Sequence, residues 1–380
     1  MSSLIFIYRV SGLRRFGEFN LIEHIGDKIM SKKAFFFFLL LVFFSITNFT
    51  GGCDDHDYPT VPGKARDYPI YFCDFADSPS ELFTFYPGAR RVDSVNLNWQ
   101  PRTMQVSADG RILYFNNRDG SHLAVNASNL AIIAELPGYV FNVSPDNELI
   151  AISNNGINIL NTSNYSVVFK DSTLPRQSCV FSSDSRYFYC NASDTVYKID
   201  LTDSSYPTTK IDITTEGSIV HVLPSVDETK LFLNVHIQTW LWAFEVYDII
   251  LDSIVFCDYL IPGYGHFTLS LDGRYVFYTN PGRTGTDPFP LLGFKIFDVE
   301  ANRIYRVIED TSFFSDTNWY APPGLPVVTP DSRWLVMLGG VMNYGMLFLY
   351  DIEGGELVHR EDWGGYYHLF APSLAVQYYK

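Results

Sequence analysis

Residues 270–280 read Ser-Leu-Asp-Gly-Arg-Tyr-Val-Phe-Tyr-Thr-Asn, a short polar turn followed by a run of aromatic and β-branched residues. Ser270 and Asp272 are residue types that bond the backbone amides of a turn, and Gly273 suits a position of positive φ. The following run has the composition of a β-strand. Because an apolar run also leads into the turn, the stretch predicts a β-hairpin.

The same turn motif occurs in six copies along the chain. Each copy has Ser or Thr at its first position and Asp at its third, and a β-rich run follows it. The copies span residues 107–111, 144–148, 182–186, 225–229, 270–274 and 329–333. They predict six hairpins of one kind, each joining a strand A to a strand B.

A second turn motif alternates strictly with the first. An Asp or Asn is followed five residues later by a polar or small residue and then by an apolar one. The copies span residues 126–132, 161–167, 200–206, 248–254, 298–304 and 351–357, with a weaker copy at 86–92. This turn joins strands C and D. A repeated four-stranded antiparallel unit must stack on its neighbours around an axis to bury both faces, which predicts an all-β fold, the β-propeller.

Counting the units predicts a seven-bladed propeller, with the ring closed by pairing strands from the two chain ends. Six blades are complete between Thr103 and Glu361. The amino end offers three strands, Pro69–Phe75, Glu81–Tyr86 and Arg91–Leu97, and the carboxyl end offers Tyr367–Ser373 as strand A. In the alternative closure, Leu374–Tyr379 is a second carboxyl-terminal strand and displaces Pro69–Phe75.

The run from Arg274 to Asn280 and the two alternating turns resemble the YVTN-type and WD40-like repeats of bacterial seven-bladed propellers. The resemblance covers about residues 67–380. It implies a fold shared by lactonases, by the heavy chains of amine dehydrogenases and by many propellers without activity. The Trp-Asp dipeptide of true WD40 blades is absent, and no lactonase or dehydrogenase catalytic pattern matches residue by residue.

The first 52 residues are interpreted as an export signal. Lys32-Lys33, an apolar block from Ala34 to Phe44 and Thr50-Gly51-Gly52 match the three parts of a signal peptide. Cys53 follows two glycines and resembles the lipidated cysteine of the bacterial lipobox, although Thr50 stands where Leu is usual. Met30 is the expected true start. An ordinary secretory signal and an uncleaved anchor are the alternatives to lipidation.

Residues 53–66 have the polar, Pro- and Gly-bearing composition of an extended tether, and residues 67–380 form the predicted propeller domain. The expected location is the bacterial cell envelope, on a lipid anchor, with the protein either periplasmic or surface-exposed. The chain carries a net charge of −15, and without the first 52 residues it has 21 basic against 39 acidic residues, or −18. Such a surface repels phosphate backbones, so nucleic acid is not an expected partner. The expected assembly state is a monomer.

Cys179 and Cys190 flank the turn at residues 182–186 almost symmetrically and are expected to face each other across strands A and B. Export permits a disulfide between them, and two buried thiols are the alternative. No cysteine spacing is typical of a zinc site. No metal and no cofactor are therefore assigned.

The candidate ligand-binding residues lie in the connections between strands B and C and between D and A, which share one rim of a propeller. Four of these segments are longer than a turn requires: Leu260–Gly265, Pro281–Leu292, Asp310–Gly324 and Glu361–Tyr366. Their candidates are Tyr264, Arg283, Asp287, Trp319, Tyr320, Trp363 and Tyr366. Three histidines, His221, His266 and His368, occupy similar blade positions and are expected to approach the axial channel. A shared metal there is the less favoured interpretation, and Gly339-Gly340 and Gly354-Gly355 are interpreted as turns rather than phosphate loops.

Two functions from different classes remain. The favoured one is a lipid-anchored binding module that uses the long-loop rim for an envelope protein, a glycan or a small ligand. The alternative is a lactonase- or dehydrogenase-like enzyme with its site at the channel mouth.

Overall fold

The computed structural model shows an all-β protein, seven blades of antiparallel strands arranged in a ring. It describes residues 68–73, 80–174, 178–238, 241–260, 267–280, 292–310, 320–321, 326–341, 344–364 and 375–376. These residues form strands and turns only, and none of them belongs to a helix of the length and apolarity that a membrane span needs.

In blades 2 to 7, strands A to D follow one another in the chain and form a meander. Blade 1 contains β1 (Ile70–Cys73), β2 (Glu81–Tyr86) and β3 (Arg91–Asn96). Blade 2 contains β4 (Pro101–Val106), β5 (Ile112–Asn117), β6 (His122–Asn126) and β7 (Ile132–Glu135). Blade 3 contains β8 (Tyr139–Val143), β9 (Leu149–Ser153), β10 (Ile157–Asn161) and β11 (Val167–Asp171).

The next two blades repeat this order. Blade 4 contains β12 (Cys179–Phe181), β13 (Tyr187–Ala192), β14 (Thr195–Asp200) and β15 (Thr208–Asp212). Blade 5 has the longer strands β16 (Ser218–Pro224), β17 (Lys230–Gln238), β18 (Leu241–Asp248) and β19 (Ser253–Leu260).

Blade 6 contains β20 (Phe267–Leu269), β21 (Tyr275–Asn280), β22 (Leu292–Asp298) and β23 (Arg303–Asp310). The inner strand of blade 7 is split into β24 (Tyr320–Ala321) and β25 (Val327–Val328). Both segments pair with β26 (Trp334–Val341), which is followed by β27 (Tyr344–Asp351) and β28 (Glu356–Gly364).

The ring closes through the chain ends. The last strand, β29 (Ala375–Val376), pairs with β1 through Ile70–Val376 and Tyr71–Ala375 and so supplies strand A of blade 1. Three strands from the amino end and one from the carboxyl end are the closure that the sequence favours. The strand itself, however, lies within Leu374–Tyr379, the run assigned to the alternative closure, and the predicted Tyr367–Ser373 lies outside the described residues.

Seven hydrophobic clusters fill the seven interfaces between neighbouring blades, including the one between blades 7 and 1. The aromatic residues that the sequence concentrates in strands B and C form much of this core. Phe244 of blade 5 stacks on Tyr278 of blade 6, with ring centroids 4.3 Å apart. Since each sheet buries both faces against its neighbours, burial of apolar surface holds the ring together.

The first turn motif has the predicted chemistry. The Ser270 hydroxyl donates to Asp272 Oδ1 at 2.5 Å and accepts from the Tyr275 amide at 2.9 Å, while the Arg274 amide donates to Asp272 at 3.0 Å. The fourth residue has positive φ in every copy, at Gly110, Asn147, Ser185, Glu228, Gly273 and Ser332. The hydroxyl and carboxylate therefore fix the turn even where no glycine is present.

The topology gives the propeller two different rims. The A–B and C–D turns lie at one end of every blade, here called the turn rim. The B–C and D–A connections lie at the other end, here called the loop rim. The strand pairing confirms the predicted grouping, since for example Lys230 after the A–B turn pairs with Asp248 before the C–D turn.

Two segments predicted as loops or turns are strands. β28 continues to Gly364, with Trp363 opposite Gly345, so the segment Glu361–Tyr366 is strand over its first four residues. Gly339 and Gly340 lie inside β26 opposite Met346 and Gly345 and form no turn. The hairpin of β26 and β27 is eight residues long on each side, and its pairing overrides the local preference of glycine for turns. Gly354 and Gly355 do form the C–D turn of blade 7.

Candidate functional site at the axial channel

His221 lies on β16, the innermost strand of blade 5. Its side chain is exposed to water, yet desolvation by the surrounding protein lowers its pKa. Both properties are expected for a side chain that lines a narrow channel, where water enters but protein encloses it on all sides. That His221 approaches the axial channel stays a prediction.

His221 connects three blades around the axis. Its Nδ1 lies 3.1 Å from the Ser178 hydroxyl, directly before β12 of blade 4. Its ring packs edge to face against Phe267 on β20 of blade 6, with centroids 5.8 Å apart. A ligand entering the channel at this point meets a hydrogen-bonding ring held between a buried hydroxyl and an aromatic face.

A second polar cluster lies where blades 2 and 3 meet the loop rim. The His122 ring packs edge to face against Tyr139 at 6.0 Å, and Thr103 and the Tyr139 hydroxyl are hydrogen-bonded at 2.9 Å. Burial lowers the pKa of His122, and its Nδ1 is buried without a hydrogen-bond partner in the described structure. The sequence-based predictions did not include His122, although its position directly after a B–C turn was a usable signal.

A third cluster surrounds Glu245, which is 4% exposed on β18 at the interface of blades 4 and 5. Its Oε1 lies 3.9 Å from the sulfur of Cys257, and burial raises the pKa of its carboxyl to about 7, with a further contribution from the charge of Glu216. Burial likewise raises the pKa of Cys257 to about 11. At the same interface the exposed Tyr259 hydroxyl donates to Glu216 at 3.1 Å. The signal in the sequence was a lone acid in an otherwise apolar strand.

Two sets of lysine, tyrosine and acid side chains have a structural explanation. Lys295 and the Tyr278 hydroxyl both contact Asp258 of the neighbouring blade, at 2.6 and 2.7 Å. Lys198 and Tyr189 contact Glu228 in the same way, at 2.6 and 3.3 Å. These lysine, tyrosine and acid sets join blades rather than form an open site.

Most of the other predicted rim residues lie outside the described residues: Tyr264, His266, Arg283, Asp287, Trp319, Tyr366 and His368, as does Cys53. Tyr320 belongs to β24 and Trp363 to β28, so both are strand residues rather than loop residues. The convergence of the three histidines on the axis stays a prediction. Within the described ranges, no three His, Cys, Asp or Glu side chains are placed so that they could hold a metal ion.

Cys179 and Cys190 face each other directly across β12 and β13, as expected. Both are buried and free in the structure. The hydrogen bond between the two thiols, together with burial, raises the pKa of Cys179 far above its ordinary value. The structure therefore contains two free thiols at this position, and a disulfide between them stays a prediction.

No protein-family model and no curated protein matches this chain. Among solved structures, a protein from Lactobacillus plantarum has a TM-score of 0.58 and 14% identity over 83% of this chain and 100% of its own. Dihydro-heme d1 dehydrogenase NirN in complex with DHE has a TM-score of 0.52 and 14% identity over 84% of this chain and 78% of its own.

The β-propeller domain of Cps50 (Swd1) from Myceliophteria thermophila is also similar, with a TM-score of 0.51 and 10% identity over 68% of this chain and 86% of its own. At these identities the similarity shows the fold alone.

Proposed function

We propose that this protein is a cell-envelope propeller, lipid-anchored at Cys53, which binds a ligand through its loop rim with the channel mouth around His221 as the centre. The observation that carries the proposal is the environment of His221. It is the inner-strand histidine that water reaches while three blades enclose it. An exposed imidazole held by the Ser178 hydroxyl and the Phe267 ring offers a fixed polar group for binding a protein segment, a glycan or a small molecule.

The two rims support this assignment by their difference. The described turns of the turn rim repeat one hydrogen-bonding scheme from blade to blade, which is what a scaffold requires. The B–C and D–A connections differ in length from blade to blade, and the cluster around His122 lies on this rim. Variation on one rim and repetition on the other favours the loop rim as the binding surface.

The test compares tagged wild-type protein with His221→Ala and with His359→Ala, a histidine on the outer strand of blade 7. Each is incubated with envelope extract, and the bound proteins, glycans and small molecules are identified by mass spectrometry. We expect His221→Ala to lose at least about tenfold in recovery of a bound species that His359→Ala retains. Equal recovery by the two variants, with unchanged melting temperatures, would refute the channel-mouth site.

The second candidate function is an enzyme, and one contact favours it. Ser178 and His221 are hydrogen-bonded at 3.1 Å, the distance of a nucleophile and its base. A fluorophosphonate probe distinguishes the two functions. Labelling that disappears in Ser178→Ala supports a hydrolase. A protein that the probe does not label, but that still recovers a bound species from envelope extract, supports the binding module.

A further inference from the structure

Eleven large apolar side chains are exposed in the described part of the chain, and they fall into two groups. Seven lie on the outermost strands of blades: Val95, Ile132, Ile133, Val167, Tyr259, Tyr305 and Val307. The other four, Val226, Ile250, Leu251 and Leu271, lie on the turn rim, within the neighbouring blades 5 and 6. They include the two most exposed of the eleven, Ile250 at 77% and Leu251 at 66%.

The repeat shows that the two apolar residues at the C–D tip of blade 5 are not required by the turn. Ile250 and Leu251 occupy the tip of the C–D turn of blade 5, where the Asp248 carboxylate accepts both of their amides at 2.9 Å. The aligned tips of blades 2 and 3 carry Ser128-Asn129 and Ser163-Asn164, with the first amide bonded in the same way. Turn chemistry therefore selects polar residues here, and the aliphatic pair needs another explanation.

Val226 and Leu271 extend this apolar surface to blade 6. A Cβ atom built on Gly273 would lie 2.5 Å from a Val226 methyl, so Val226 packs directly on the turn that carries Leu271. The Ile249 amide donates to the carbonyl of Thr229 at 2.9 Å and keeps the two turns of blade 5 together. Here the turn patch denotes Val226, Ile250, Leu251 and Leu271.

The first described strand begins on the same rim as the turn patch. β1 is strand B of blade 1, and its first residue, Ile70, pairs with Phe85 beside the C–D turn. The chain thus enters the propeller at the turn rim. Fourteen residues lie between Cys53 and Tyr68, so the tether reaches at most about 50 Å. A tether attached at this rim allows the turn rim to lie against the bilayer.

We infer that the turn patch rests on the lipid bilayer that holds the anchor, and that the loop rim consequently faces away from the membrane. This inference rests on the proposed lipid anchor and adds the orientation of the binding surface. The occupant is the apolar region of a zwitterionic bilayer rather than anionic head groups, because the chain is strongly acidic past its signal. A tether makes even a weak apolar contact effective, since the patch stays close to the surface.

The experiment uses the acylated protein, purified from membranes and reconstituted in phosphatidylcholine vesicles. In a Cys257→Ser background, which removes the exposed thiol, an environment-sensitive fluorophore is attached at Ile250→Cys. Ile132→Cys is the matched control, an exposed isoleucine on an outer strand. We expect a blue-shifted emission and quenching by brominated lipid at position 250 and neither at position 132.

A second variant tests the patch without a fluorophore in its most exposed turn. Ile250→Ser with Leu251→Asn copies the tips of blades 2 and 3 and therefore preserves the turn. It should reduce lipid quenching of a label at Leu271→Cys at least about twofold.

Three results would overturn the inference. The first is identical emission at positions 250 and 132 in acylated protein. The second is a blue shift at position 250 without quenching by brominated lipid, which indicates contact with another protein copy. The third is a mass spectrum that shows no acyl group on Cys53, which refutes the anchor itself and is distinguishable from the other two.

Discussion

Glu245 shows how a single residue departs from the pattern of its strand. Its neighbours on the same face, Ala243 and Tyr247, are buried in the interface of blades 4 and 5, and the carboxyl is buried with them. Oε2 has no hydrogen-bond partner in the described structure. The protonated acid is therefore favoured at a pH where an exposed glutamate is ionised.

The pKa of Glu245 predicts a specific dependence of stability on pH. Because burial raises it from 4.5 to about 7, the folded protein binds the proton more tightly than the unfolded chain does. This contribution to the free energy of unfolding is fully present below about pH 4.5 and is lost as the pH rises through about 7. The loss amounts to at most about 3 kcal/mol.

Urea denaturation of wild type and Glu245→Gln between about pH 5 and pH 8 measures this effect. In Glu245→Gln we expect the free energy of unfolding to decline much less between these pH values. Glu300 is an exposed turn residue, and Glu300→Gln should show the same decline as wild type. A slope that is unchanged in Glu245→Gln would show that other groups cause the decline.

The two thiols of blade 4 give a second prediction at this scale. As free, buried groups, Cys179 and Cys190 should resist iodoacetamide in the native protein and react in denaturant without a reductant. Peptide mass spectrometry after labelling measures both sites. Reaction only after reduction would establish the disulfide instead.

Asparagines at the ends of B strands join neighbouring blades. Asn116 on β5 donates to the carbonyl of Val140 at 2.9 Å and accepts its amide at 2.7 Å, all within the core. Asn191 on β13 donates to the carbonyl of Ile219 at 2.6 Å. In both cases the partner lies on strand A of the next blade. An asparagine one position before the end of strand B is therefore explained by a contact between blades.

Replacing Asn116 by Ala should lower the free energy of unfolding by about 2–4 kcal/mol, because the buried amide and carbonyl of Val140 lose their partner. Equilibrium urea denaturation measures the loss. Asn129→Ala, in an exposed turn, is the control and should cost less than about 1 kcal/mol. Equal losses in the two variants would contradict a specific role for the inter-blade bond.

At the scale of the whole molecule, the ring depends on one short pairing between distant parts of the chain. β29 covers the free edge of β1, and the cluster between blades 7 and 1 completes the circle of seven interfaces. A propeller without this closure exposes a strand edge that can pair with other chains. Closure is therefore a determinant of solubility as well as of stability.

A chain that ends at Leu374 lacks β29 and should melt at a lower temperature and aggregate on heating. Ending the chain at Gln377 retains β29 and is the matched control. Differential scanning calorimetry with light scattering follows both properties. If the two truncated chains behave alike, the pairing of β1 with β29 is not needed for closure.

The hairpins, the blade count and the two rims could be predicted from sequence, because turn chemistry and strand alternation are local and repeat from blade to blade. Ser270, Asp272 and Gly273 act within one turn, and their spacing suffices to predict it. Only the folded chain shows that Ala375–Val376 closes the ring, that Trp363 belongs to a strand and that Glu245 is buried. Each of these depends on pairing or packing between residues far apart in the chain, and local preference does not encode such contacts.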